Sequence, residues 1–238
     1  MRPTRNSQRL QLVRRGDDPG DPLPPWMTPR EIAEALAEGR PVPEPDFDRY
    51  LPARLRLISA RHWTPVRVAA FGARWLEARG ARTVVDVGSG AGKFCVAGAL
   101  ASGCAFAGIE QRESLVDVAQ GLARLYRLSE RVTFTREVYD GALPAADAYY
   151  LFNPFGENIL DAPEHIDHDV ELSDHRYLRD LASMERAMRE APVGTHFLMF
   201  NGFGGAIPDT YDEVRPAADT PDLLSLWQKV RPRTITRP

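Results

Sequence analysis

Residues 84–92 read Val84-Val85-Asp86-Val87-Gly88-Ser89-Gly90-Ala91-Gly92, and eighteen positions beyond Gly92 the next apolar run ends at Glu110. Three glycines at alternate positions leave a loop almost without side chains, so a ligand can lie against bare main chain. An acid at the tip of the neighbouring strand can accept hydrogen bonds from the two hydroxyls of a ribose. Such an acid can also do no more than cap the helix that follows it. The glycine loop upstream favours the ribose, and the pair points to a nucleoside-type cofactor.

Two other phosphate-binding loops fail on spacing. A P-loop needs Gly-x-x-x-x-Gly-Lys-Ser/Thr; around Gly92-Lys93 the chain has Val87 where the first glycine belongs and Phe94 where the hydroxyl belongs. A dinucleotide loop needs Gly-x-Gly-x-x-Gly; counted from Gly88 and Gly90, the third glycine falls on Lys93.

The elements that must position these groups alternate between strand and helix from residue 82 onward. Strands are expected at Val84–Val87, Phe106–Ile109, Val132–Thr135, Ala148–Phe152 and Phe197–Phe200. Between them, Phe94–Ala101 reads as a small-residue helix, and Leu115, Val118, Ala119 and Leu122 have helical spacing. Ser173 or Asp174 caps a further helix whose apolar face is Tyr177, Leu181, Met184 and Met188. Tyr211–Arg215 and Leu223–Val230 look like a terminal antiparallel pair. This pattern predicts a parallel sheet covered on both faces by helices, with ligands bound beyond its C-terminal edge.

Upstream, Thr28, Pro29 and Glu31 form a capping box at a helix start that Gly39 ends. Pro41, Pro43 and Pro45 suggest an extended connection. Phe47–Ser59 is expected to be partly helical, interrupted at Pro52. His62-Trp63-Thr64-Pro65 reads as a second helix start, with Thr64 as cap and Pro65 in first position. The chain divides into an unpacked arm at 1–27, a helical extension or lid at 28–80, and a cofactor-binding domain at 81–238.

Asp86-Val87-Gly88-Ser89-Gly90-Ala91-Gly92, Glu110 and Asn153-Pro154-Phe155 resemble the class I S-adenosylmethionine-dependent methyltransferases, over roughly residues 60–230. The resemblance implies a Rossmann-like, seven-stranded α/β sheet, mostly parallel with an antiparallel last strand. It implies that Asp86, Gly88, Ser89, Gly90 and Gly92 serve the methionine half of S-adenosylmethionine and that Glu110, with Gln111 beside it, serves the ribose. Many members carry an acid after strand three for the adenine amine; here that position falls near Val138, between Glu137 and Asp140, and the resemblance favours Asp140. Asn153-Pro154-Phe155 is similar to the Asn/Asp-Pro-Pro-aromatic motif of methyltransferases that act on nitrogen. There the Asn and a backbone carbonyl accept from the target N–H, and the ring packs on the acceptor. One proline is missing, so a simple strand end and turn competes with this reading.

Other polar groups carry less. His62 lies where the family often builds a substrate lid and could take a proton; a packed or capping histidine is the plainer reading. Glu164-His165-Ile166-Asp167-His168-Asp169 lacks helical metal-ligand spacing and reads as a solvated charge cluster, with no metal expected. Asn201-Gly202-Phe203-Gly204-Gly205 either borders the pocket or turns the chain. Net charge is −3, which gives no global attraction to nucleic acid or anionic membrane, although Arg2, Arg5, Arg9, Arg14 and Arg15 make the first fifteen residues basic. No apolar run approaches membrane-spanning length. Cys95 and Cys104 fit neither a disulfide framework nor a zinc site, which suggests a reducing, cytoplasmic setting.

The sequence thus reads as a methyltransferase with a nitrogen acceptor on a protein or other macromolecule, the glycine motif being similar to that of non-SET protein-lysine methyltransferases. RNA or a small molecule remain as acceptors. A nicotinamide-dependent oxidoreductase and a non-catalytic cofactor-binding subunit are the alternative classes. Calorimetric titration separates the first two: heat is expected with S-adenosylhomocysteine and none with NAD or NADP, and tight binding of the nicotinamide alone defeats the reading.

Overall fold

A computed structural model describes residues 26–232. The basic arm, apart from its last two residues, lies outside the described residues. Those two are packed: Trp26 lies under the Arg49 guanidinium, and the Met27 carbonyl accepts from the Tyr50 hydroxyl at 2.8 Å.

Seven strands form one sheet in the order β3-β2-β1-β4-β5-β7-β6. They are β1 (Thr83–Val87), β2 (Ala105–Glu110), β3 (Val132–Arg136), β4 (Ala148–Leu151), β5 (His196–Phe200), β6 (Tyr211–Glu213) and β7 (Leu224–Lys229). The first five run parallel, and β7 runs antiparallel to both β5 and β6. Alternation along the strands divides the core in two. Val84, Tyr150 and Leu198 face one cluster; Val85, Val87, Tyr149, Leu151, Phe197 and Met199 face the other. Burial on both faces explains why the strands read as near-continuous apolar runs.

The first face is covered by α4 (Val66–Ala78), α5 (Lys93–Ala101) and α6 (Glu113–Leu125), the second by α7 (Asp174–Glu190). α5 packs close because it is built of small residues, and a Cβ on Gly98 would press on the Phe106 ring at 2.8 Å. α7 buries Met184 and Met188, while Tyr177 and Leu181 pack at the cluster's margin.

The N-terminal segment departs from expectation. α1 (Pro29–Ala37) has the expected capping box and ends near Gly39 at φ +79°. Pro45 lies inside α2 (Glu44–Asp48) instead of an extended connection, because Pro43 serves as N-cap and a proline is tolerated in a helix's first turn. After Pro52 the chain re-enters α3 (Ala53–His62). Thr64 is no cap: α4 starts at Val66 behind Pro65, and the Thr64 hydroxyl is spent on the Tyr150 hydroxyl at 2.6 Å. The extension thickens one helical layer. Ile32, Ala35 and Leu36 join the core, Phe47 stacks on Tyr126 at 5.7 Å, and of the extension only the end of α3 with the next residue lines the cleft described below.

Gly92 is a position where the fold tolerates no side chain. It sits at φ +76°, and a Cβ would meet Phe134 Cζ at 2.6 Å and Ala119 Cβ at 2.7 Å. Gly92→Ala should therefore cost about 2–4 kcal/mol in a denaturation midpoint analysis. Gly80→Ala, at φ +89° with nothing within 4 Å, should cost about 1–2 kcal/mol, the conformational penalty alone.

Candidate functional site

A cleft of about 350 Å³ opens where the strand order reverses, between the C-terminal ends of β1, β2 and β4. Its floor is the turn after β1. The N–H groups of Gly88 and Ser89 both donate to the Ile109 carbonyl at 2.9 Å, which folds the turn over β2. Gly88 and Gly90 take left-handed backbone, φ +77° and +54°, and line the cleft. The Trp63 indole leans across Gly90, where a Cβ would collide with it, and Pro154 lies 3.2 Å from the place of a Cβ on Gly88. Bare main chain here is therefore a steric requirement.

Glu110 closes one wall. One carboxylate oxygen accepts the Gly90 N–H at 3.0 Å and the other accepts the Arg112 N–H at 2.8 Å. Burial pushes this carboxyl up from the usual carboxylate range, and the N–H groups of Arg112, Gly90 and Gln111 act against that push. Each oxygen retains acceptor capacity for a ligand hydroxyl.

Asn153 stands at the end of β4 in left-handed backbone, φ +42°. Its N–H donates to the Gly202 carbonyl and its own carbonyl accepts from Gly156, both within 3.0 Å. The side-chain amide lies so close to Gly156 that only glycine fits there. Asn153 lines the cleft and is exposed. Phe155 lies deeper, 4 % exposed, its ring stacked on Tyr139 at 5.6 Å.

Seven predicted residues therefore share the wall: Gly88, Gly90, Glu110, Gln111, Asn153, Pro154 and Phe155. Four are placed elsewhere. Asp86 lies beneath the turn, where its carboxylate accepts from the Cys95 thiol at 3.5 Å. Ser89 is buried with its side chain against Gly108. Gly92 ends the turn against Phe134. Asp140 is turned back on its own loop, accepting the Ala142 N–H at 3.0 Å; Glu137 and Tyr139 line the cleft instead.

The structure brings His62 to the cleft and adds Trp63, which spacing did not reveal. Trp63 and His62 reach the wall from the end of α3, and burial lowers the His62 imidazole against the Glu157 carboxylate, which acts to raise it. The stretch after Asn153 forms short 3-10 turns at Gly156–Ile159 and Ala162–Glu164. Its acids are solvated only in part: Asp169 is exposed, while Asp167 is drawn toward the interior. Glu164 pairs with Arg61 at 2.5 Å, Asp167 with Arg112 at 2.7 Å, and His165 meets the Leu160 carbonyl at 3.0 Å. Among the described residues no group of three or more acids, histidines or cysteines is arranged for a metal ion. Asn201 borders the cleft, so the Asn201–Gly205 segment does more than turn the chain.

No family model matches this chain, and no curated protein does. Solved structures do. TrmN from Thermus thermophilus superposes with a TM-score of 0.51 at 16 % identity, over 79 % of this chain and 53 % of that one. The fold is the class I methyltransferase fold. An RNA methyltransferase from Salinibacter ruber solved with S-adenosylhomocysteine gives 0.48 at 17 % identity, over 74 % and 97 % of the two chains. An O-methyltransferase from Bacillus cereus, also solved with that molecule, gives 0.46 at 14 %, over 88 % and 93 %.

Asp86 supplies a pH test of the floor. Burial pushes its carboxyl from 3.8 up to about 7, against the Cys95 thiol that holds it down. Between those values the unfolded chain has lost the proton that the folded chain keeps, so stability falls as pH rises from near 4 to near 7. Asp86→Asn should be neutral near pH 4 and stabilising by a few kcal/mol above pH 7, read from urea midpoints across that range.

Proposed function

We propose that this chain is an S-adenosylmethionine-dependent methyltransferase acting on a nitrogen acceptor of a protein or other macromolecule. The observation that carries the first part is the joint between Glu110 and Gly90: a carboxylate at the tip of β2, bonded at 3.0 Å to a turn that admits no Cβ. The donor set fits adenosine with a methionine tail. Glu110 would hold the ribose hydroxyls, the main chain of Gly88 and Gly90 would lie under the tail, and Tyr139 with Glu137 would flank the adenine, the place first given to Asp140. When bound, S-adenosylmethionine supplies a methyl group already activated by its sulfonium.

The chain's own contribution is then positioning. Asn153 supports the nitrogen reading, because its amide is presented at the wall by left-handed backbone and makes no hydrogen bond among the described residues. Its oxygen would accept from the target N–H and turn the nitrogen lone pair toward the cleft. His62, which lines the same cleft, is a group able to take a proton from an acceptor that arrives charged. A reducing, cytoplasmic setting is part of the proposal, supported by two unpaired buried cysteines. No helix among the described residues is long and apolar enough to cross a membrane.

Three measurements test this. Glu110→Ala should weaken S-adenosylhomocysteine roughly 10–100-fold by calorimetry. Asn153→Ala should bind it as the parent does and transfer methyl roughly a hundredfold more slowly. Isotopic methyl incubated with fractionated lysate should appear in macromolecules; label confined to metabolites removes the macromolecular acceptor.

A further inference from the structure

Arg112 is a buried cation that the proposed chemistry leaves unused. It is 4 % exposed, two residues past Glu110, and bonds in two directions. Its backbone N–H donates to Glu110 at 2.8 Å. Its guanidinium donates to Glu157 at 2.9 Å and to Asp167 at 2.7 Å. Both acids lie in the stretch that follows Asn153, and both are themselves structural. Glu157 accepts the Ile166 N–H at 2.8 Å, and Asp167 accepts the Asp169 N–H at 3.1 Å. Leu160, Ile166 and Leu172 of the same stretch line the cleft.

A buried guanidinium stabilises little unless its partners are in place, and removal of one partner leaves a charge that water cannot reach. The stretch at 156–172 is therefore held in one position only while Arg112 is aligned. Arg112 in turn is aligned by the Glu110 carboxylate.

We propose that Arg112 is a positioning residue that couples the ribose carboxylate to the acceptor wall, so that cofactor occupancy orders residues 156–172 and the acceptor is recognised after the cofactor. This rests on the reading of Glu110 as the ribose ligand. A ribose held by Glu110 restrains the carboxylate, the carboxylate restrains the Arg112 main chain, and the guanidinium then fixes Glu157 and Asp167. Coupling of two binding events is reciprocal, so loosening the stretch must weaken the cofactor by the factor by which the cofactor tightens the stretch.

Hydrogen–deuterium exchange of the full chain with and without S-adenosylhomocysteine tests this, alongside calorimetric Kd values. In the parent protein the ligand should slow exchange at Gly88–Gly90 and, at least about tenfold, across 156–169. In Asp167→Asn, which keeps the side-chain volume and the acceptor for Asp169, the turn should stay protected by saturating ligand. The gain across 156–169 should vanish, and Kd should rise at least roughly fivefold, within the usual range of coupling. Arg112→Met should do the same more strongly; should it fold poorly, Asp167→Asn and Glu157→Gln carry the test. Ligand-dependent protection of 156–169 that survives in Asp167→Asn and Glu157→Gln overturns the coupling while leaving the cofactor reading intact. Absence of protection at Gly88–Gly90 in the parent overturns both.

Discussion

The carboxylate of Glu110 is the point on which the site depends. It is almost wholly buried, yet both oxygens are bonded to main-chain N–H groups from different elements, the turn after β1 and the start of α6. A charge in that position would be expelled or neutralised without such donors. With them it becomes a rigid acceptor that joins two strand tips. The glycine turn is tied to it, because the N–H of Gly90, a residue in left-handed backbone, donates to Glu110. The helix start at Arg112 is tied to it as well, since no side chain caps α6 and the carboxylate takes one of its free donors.

A second buried charge does similar work on the other side of the turn. Lys93, the first residue of α5, is 2 % exposed and reaches Glu44 at 2.6 Å, Asp48 at 2.7 Å and the Ser59 hydroxyl at 3.1 Å. Those partners lie on α2 and α3, so the lysine that excludes a dinucleotide loop by its position is the residue that ties the N-terminal helices to the glycine turn. The Val66 N–H donating to Glu44 at 2.6 Å adds a tie between α2 and α4. Between these ties the chain has little freedom at Trp63, and its indole is set against Gly90. Buried ion pairs of this kind are poor sources of net stability and good sources of a single arrangement.

How far the sequence could be read varied with the range of the interaction. The strands of the sheet and the glycine turn were legible because apolar periodicity and bare main chain are local signals, whereas the order of the strands is set by contacts distant along the chain. The capping box at Thr28 was legible for the same reason. Thr64 was misread, because its hydroxyl finds Tyr150, 86 positions away, and a local capping rule cannot foresee that partner. Asp140 and Glu137 looked equivalent by spacing; a two-residue turn that satisfies the Asp140 carboxylate locally separates them. Among the acids of 164–169, Asp167 was misread as solvated, since the cation that pairs with it, Arg112, is distant along the chain. Arg112 itself carried no signal beyond its place two residues after Glu110.

The indole resting on the glycine turn has a practical consequence. Of the four tryptophans in the chain, Trp63 is the one that lines the cleft. Its emission is set by the polarity and the water next to Gly90, and a molecule entering the cleft changes both. The protein therefore carries an intrinsic optical reporter of occupancy, readable without label or chromophoric ligand.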